Sequence, residues 1–124
     1  MTIKIECINP ILPVKDIKAS LDYYVKVLGF EPADWVTEDA AFALVLREGF
    51  GIYLARDSGS CSKSHVWIGT EDIEPIYEEC KANGANIKKM PTNYSWAYEM
   101  QLEDPDGHVL RIGSEPKEEL PFND

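Results

Sequence analysis

The residues that could carry chemistry in this chain are few and scattered. There are two histidines, His65 and His108, and three cysteines, Cys7, Cys61 and Cys80. No serine or cysteine has a histidine at a spacing that reads as a nucleophile with its base. Neither a phosphate-cradling glycine loop nor a dinucleotide fingerprint is present. The cysteines are odd in number and far apart, which suggests neither a disulfide framework nor a zinc motif. Reduced thiols in the cytoplasm are the expectation.

One charged residue stands out by its setting. Asp104-Pro105-Asp106-Gly107 is a strong turn signal: Pro presets φ, Asp bonds nearby backbone and Gly accepts positive φ. Apolar runs flank it, Met100 to Leu102 and Val109 to Ile112, which reads as a β-hairpin. Arg111 lies inside the second strand, where a charge is costly unless it faces a partner or water. Glu99, Glu115 or another acid could pair with it. Alternatively it could hold a carbonyl or carboxylate of a ligand.

Composition limits the partners. Of 124 residues, 12 are Lys or Arg and 22 are Asp or Glu, a formal charge of −10. Such a chain repels nucleic acid and anionic membranes and could attract a cation, or its acidity could serve solubility alone. At 44% hydrophobic it can bury a core, and its length fits a single domain spanning 1–124. The start, Met1-Thr2-Ile3-Lys4-Ile5-Glu6, lacks the apolar run of a signal peptide. No apolar run approaches a membrane span.

The elements that must position these residues repeat. Ile5 to Val14, with Pro10 and Pro13, reads as an edge strand. Asp16 caps a helix bearing Ile17, Leu21, Tyr24, Val25 and Leu28, which Gly29 ends. Phe30 to Thr37 reads as a strand carrying Trp35. Ala41 to Arg47 and Phe50 to Arg56 form a hairpin about Glu48-Gly49. Asp57 to Ser62 is a linker. Then Ser64 to Thr70 is a strand, and Asp72 caps a helix with Ile73, Ile76, Tyr77 and Cys80 on one face, ended by Gly84. Ala85 to Met90, Trp96 to Glu103 and His108 to Ser114 are strands. Asp16-Ile17 aligns with Asp72-Ile73, and the ordered match of five elements marks an internal duplication. The modules are about 1–57 and 63–115. The acidic tail from Glu115 to Asp124 is expected to be loose, apart from possible docking of Phe122.

Three motifs carry a family resemblance: Pro10-Ile11-Leu12-Pro13-Val14-Lys15-Asp16, Tyr23-Tyr24-Val25-Lys26-Val27-Leu28-Gly29-Phe30, and Asp104-Pro105-Asp106-Gly107-His108-Val109-Leu110-Arg111. With the module order, the chain resembles the vicinal-oxygen-chelate superfamily, which includes glyoxalase I, dioxygenases and the bleomycin resistance proteins. The resemblance implies an α+β fold: two tandem βαβββ modules forming curved mixed sheets with helices outside. It also implies that two modules, often from two chains, close over one pocket.

In metal-dependent members of that superfamily, four ligands stand at fixed strand points. The matching positions here are Asn9, Tyr53, His65 and Arg111, so one ligand type of four survives. Asn is a weak oxygen donor, Tyr is protonated near neutral pH and Arg is permanently cationic. Arg111 would repel a metal beside it. The ancestral metal site therefore reads as dismantled, and no cofactor is expected. The remaining metal reading recruits His65, Cys61 and carboxylates. His65 can equally be a hydrogen-bonded structural residue, and His108, beside the turn, is expected to be exposed.

Strand parity then selects a pocket lining. Pairing across Glu48-Gly49 puts Phe42, Leu44 and Leu46 on the face of Tyr53. Pairing Glu103 opposite His108 puts Leu102, Met100, Tyr98 and Trp96 beside Val109 and Arg111. His65 and Trp67 join them. Ile52, Leu54, Val66, Ile68, Leu110 and Ile112 face the helices. The expected ligand-binding set is Asn9, Trp35, Phe42, Tyr53, His65, Trp67, Trp96, Tyr98, Met100 and Arg111. An aromatic cup with few polar handles suits a flat organic molecule, although these rings could simply pack at a dimer interface. The leading expectation is a metal-independent, homodimeric binder that sequesters a cationic aromatic drug or metabolite. The alternative is a metal-dependent enzyme of the same superfamily: a lyase, thiol transferase, epimerase or dioxygenase. A regulatory or partner-binding module with a vestigial pocket is a third reading.

Overall fold

The computed structural model describes residues 3–57 and 62–124. Cys61, most of the expected linker and the first two residues of the N-terminal reading lie outside the described residues.

Each half follows the same order. Strand β1 (Ile11–Val14) leads to α1 (Ile17–Asp22), then β2 (Glu31–Pro32), β3 (Phe42–Arg47) and β4 (Phe50–Arg56). Strand β5 (His65–Gly69) leads to α2 (Ile73–Ala82), then β6 (Ile87–Asn93), β7 (Tyr98–Glu103) and β8 (Val109–Ser114). The sheets are ordered β1-β4-β3-β2 and β5-β8-β7-β6. In each, the first strand runs parallel to the last and the other pairs are antiparallel. The α+β architecture of two tandem βαβββ modules is therefore present.

The caps are where the sequence puts them. Asp16 accepts from the Lys18 and Ala19 amides, and Asp72 from the Glu74 amide, satisfying donors that a helix start leaves open. Gly29 and Gly84 adopt φ of 76° and 79°, a left-handed conformation that only glycine takes without cost, and so end the two helical segments. The first is not α-helical throughout, since Tyr23–Val27 widens into a π-turn.

One core serves both halves. Leu12, Val14, Ile52 and Leu54 pack with α1 residues, and Leu110, Ile112, Met100 and Leu102 with α2 residues, in a single apolar cluster. The halves are stitched by polar groups as well. The buried Tyr24 hydroxyl donates to Asp104 at 2.8 Å. Arg47 donates to Glu79 at 2.7 Å and to the Leu28 carbonyl at 2.6 Å.

His108 is fully buried, against the expectation of exposure. Its Nδ1 accepts from the Ser64 amide at 2.9 Å and its Nε2 donates to the Pro13 carbonyl at 2.7 Å. The imidazole thus ties the second half to β1. Element bounds also differ, β7 among them, which starts at Tyr98 and leaves Trp96 outside. The first strand forms only from Ile11, Trp35 lies beyond the short β2, and β6 extends to Asn93. The tail is held rather than loose. Asn93 bonds the Lys117 amide and carbonyl and the Leu120 carbonyl, and Ser95 binds the Asp124 carboxylate. Phe122 stays exposed.

Candidate functional site

Alternation along the strands sorts two faces. On β4, Ile52 and Leu54 are buried under α1, while Tyr53 points the other way. The register Phe42↔Ala55, Leu44↔Tyr53 and Leu46↔Gly51 places Phe42, Leu44 and Leu46 with Tyr53, as parity predicts. Ile11 pairs with Tyr53 and joins this open face. On it Trp35, Phe42 and Tyr53 stack in sequence: the first two ring centroids lie 6.5 Å apart at 13°, the next two 5.0 Å apart at 20°. Such offset stacks present a broad π surface, and Trp35 remains 53% exposed.

In the second half the open face carries His65, Trp67 and Gly69 of β5 beside Val109, Arg111 and Gly113 of β8. Trp67 is opposite Arg111, whose guanidinium carbon sits 5.9 Å from the ring centroid. A Cβ built on Gly113 would collide with the Trp67 indole, so the ring lies flat on that glycine. Arg111 is not free. It binds Glu99 through Nε at 3.2 Å and Nη2 at 2.8 Å. These hydrogen bonds, opposed by desolvation, raise the guanidinium above its ordinary value.

The expected register of this hairpin is corrected. Glu103 pairs with Val109, not His108. A one-residue shift flips every side chain. Glu99, Gln101 and Glu103 therefore share the face of Arg111, and Tyr98, Met100 and Leu102 turn toward the helix. Met100 is wholly buried in the core and the Tyr98 hydroxyl bonds Glu74 of α2. Neither can reach a molecule on the open face. Burial pushes the Tyr98 hydroxyl up to about 12, reinforced by Glu74.

The other expected residues separate. Trp96 lies in the β6–β7 loop, stacked on Tyr94 at 4.6 Å and 6°, and is exposed. His65 is exposed at the start of β5, opposite Val109. The Asn9 amide donates to the Gly51 carbonyl at 2.7 Å. Asn9 and Trp67 alone of the ten line a cavity of about 490 Å³, whose walls lie mainly on the helix side of the sheets. Sequence reading missed Gly113 as the seat of Trp67. The available signal was Gly69 and Gly113, each two residues beyond Trp67 and Arg111 on paired strands.

The four positions matching a metal site do not fit a metal. Asn9 presents its amide N–H to backbone, Arg111 presents a paired cation, and Tyr53 sits in a ring stack. Among the described residues no three His, Cys, Asp or Glu side chains converge as a metal-holding group. No helix among them is long and apolar enough to cross a membrane.

The model of the Glyoxalase/Bleomycin resistance protein/Dioxygenase superfamily matches residues 5–112. Among solved structures, TioX from Micromonospora sp. ML1 is similar at a TM-score of 0.74 and 18% identity, over 86% of this chain and 96% of that one. TnmS3, an antibiotic binding protein from Streptomyces sp. CB03234, superposes with a TM-score of 0.72 at 22% identity, over 94% of this chain and 100% of its own. An integron cassette protein from the mobile metagenome of the Halifax Harbour sewage outfall gives 0.75 at 22%, over 89% and 99%. At these identities the likeness is one of fold. No curated protein matches the chain by sequence.

Proposed function

The chain belongs to the Glyoxalase/Bleomycin resistance protein/Dioxygenase superfamily, and from that premise we propose that it is a metal-independent binder of a flat, cationic aromatic small molecule. The observation that carries this reading is the exposed Trp35–Phe42–Tyr53 stack on the open sheet face. A π surface of this kind attracts both planar rings and cations. The charge balance supports the same sign. Arg111 is neutralised by Glu99, Glu103 shares that face, and the chain carries −10 overall. The TnmS3 likeness makes an antibiotic one source of such a molecule.

The pocket is completed by a second copy of the chain in this reading. Ile11, Trp35, Phe42 and Trp67 are all exposed on the open faces, together with Ile3, Ile5 and Ile8 before β1. A small monomer rarely keeps so much apolar surface in water, and two-fold pairing of like faces covers it. The cytoplasm is the proposed location.

Metal independence is tested by calorimetric titration of a cationic aromatic drug with and without a chelator, and with added zinc, nickel or manganese. Binding unchanged by either treatment is expected. Binding that needs the metal overturns the reading in favour of a metal-dependent enzyme.

A further inference from the structure

The duplicated halves differ at one buried position. Counted from the caps Asp16 and Asp72, the eighth residue is Tyr24 in the first half and Cys80 in the second. Tyr24 is fully buried and ends on Asp104, in the β7–β8 turn. The register Leu44↔Tyr53 corresponds to Gln101↔Arg111, so the residue three further on, Asp104, corresponds to Arg47. At Cys80, therefore, the phenol ring is replaced by a small thiol, and the carboxylate that the ring's far end would meet across the halves is replaced by the Arg47 guanidinium.

Beside Cys80 lies the cavity of about 490 Å³, with Leu28, Phe30, Val66, Ile68 and Ile76 among its walls and Arg47 in its lining. Its volume is in the range of small-molecule sites. Arg47 uses three of its five N–H donors on Leu28 and Glu79 among the described residues. Val66, Ile68 and Ile76 pack against the core, on the face opposite Tyr53 and Arg111. The cavity thus lies apart from the Trp35–Phe42–Tyr53 stack, although Trp67 and Gly69 of the second open face border it.

We propose that this cavity is a second binding site, which takes an uncharged phenol-class ring where the duplication leaves out a tyrosine. The ring lies among the aliphatic walls beside Cys80, and its oxygen accepts an N–H from Arg47. Burial pushes the Cys80 thiol up to about 11, so the wall it forms is neutral at physiological pH. This site goes beyond the proposed drug-binding stack, none of whose three rings lines it.

The test uses 4-bromophenol on the full chain. Calorimetry is expected to show saturable binding that Cys80→Tyr weakens by at least about tenfold and Phe42→Ala leaves unchanged. No saturable binding overturns the proposal, as does binding retained by Cys80→Tyr and lost with Phe42→Ala. Should Cys80→Tyr not fold, crystals of the unaltered protein soaked in 4-bromophenol decide. An anomalous bromine peak between Ile76 and Cys80 supports the site. A peak only on the open face, or none, refutes it.

Discussion

Arg111 grips Glu99 with two hydrogen bonds, and the two ends of that pair differ in exposure: 36% for the arginine side chain and 3% for the glutamate. The glutamate is the end that depends on the pair. Removing Arg111 strands a carboxylate that water barely reaches, whereas removing the charge of Glu99 leaves a cation that can turn to solvent. Arg111→Ala is therefore expected to cost about 1–3 kcal/mol in urea unfolding, discounted for the partial exposure of the arginine. Glu99→Gln should cost less. Equal and negligible losses would mean that the pair contributes only on the surface.

Gly113 is predicted to set the position of Trp67. A methyl at that position meets the indole itself. Gly113→Ala should displace the ring from the strand and lower stability by about 1–3 kcal/mol, the usual range for overpacking. A changed Trp67 emission spectrum, measured with Trp35 and Trp96 replaced by Phe, would report the movement. An unchanged spectrum would place the ring elsewhere.

Alkaline stability follows from the buried phenols. Burial pushes the Tyr23 hydroxyl up to about 12, and burial with the neighbouring Asp104 raises Tyr24 further. A phenol is neutral while protonated, so a raised folded value means the folded state keeps protons that the unfolded chain releases. The contribution is complete below the ordinary tyrosine value of 10.0 and is lost as pH climbs from there toward about 12. Denaturant midpoints should fall across that window, and Tyr24→Phe should reduce the fall. A midpoint flat through the window would refute the assignment.

Much of the fold was legible because local chemistry and tertiary structure agree. The caps Asp16 and Asp72 and the positive-φ glycines Gly29 and Gly84 delimit the helical segments in both. Glu48-Gly49 fixes the β3–β4 register because two residues make the whole turn. The β7–β8 register was not legible from the same rules. Asp104 is itself paired: its amide donates to the His108 carbonyl at 2.9 Å, while its side chain accepts from the Asp106 and His108 amides. The loop is thereby shortened to Pro105, Asp106 and Gly107, and the strands slide by one. That slide moves Tyr98 and Met100 into the core and brings Glu99 to Arg111. The burial of His108 escaped sequence reading for a related reason, since Ser64 is brought to it only by the β5–β8 pairing and Pro13 only by docking of the halves.

Dimerisation is predicted from exposed surface. Light scattering at micromolar concentration should give twice the chain mass of 14.0 kDa. Phe42→Glu, which puts a charge on the open face, should shift the equilibrium toward monomer. A monomer for the unaltered chain would require another cover for Ile11, Trp35 and Trp67.

The stacked face of Trp35, Phe42 and Tyr53 is tested most directly by tryptophan fluorescence during titration with two ligands, a cationic aromatic drug of the bleomycin class and an anionic aromatic acid. The drug should quench saturably, bind more weakly as salt rises, and lose at least about tenfold in affinity with Phe42→Ala. The acid should bind poorly. Tight binding of the acid alone, abolished by Arg111→Ala, would contradict the account and make the Arg111 guanidinium the group that recognises the ligand.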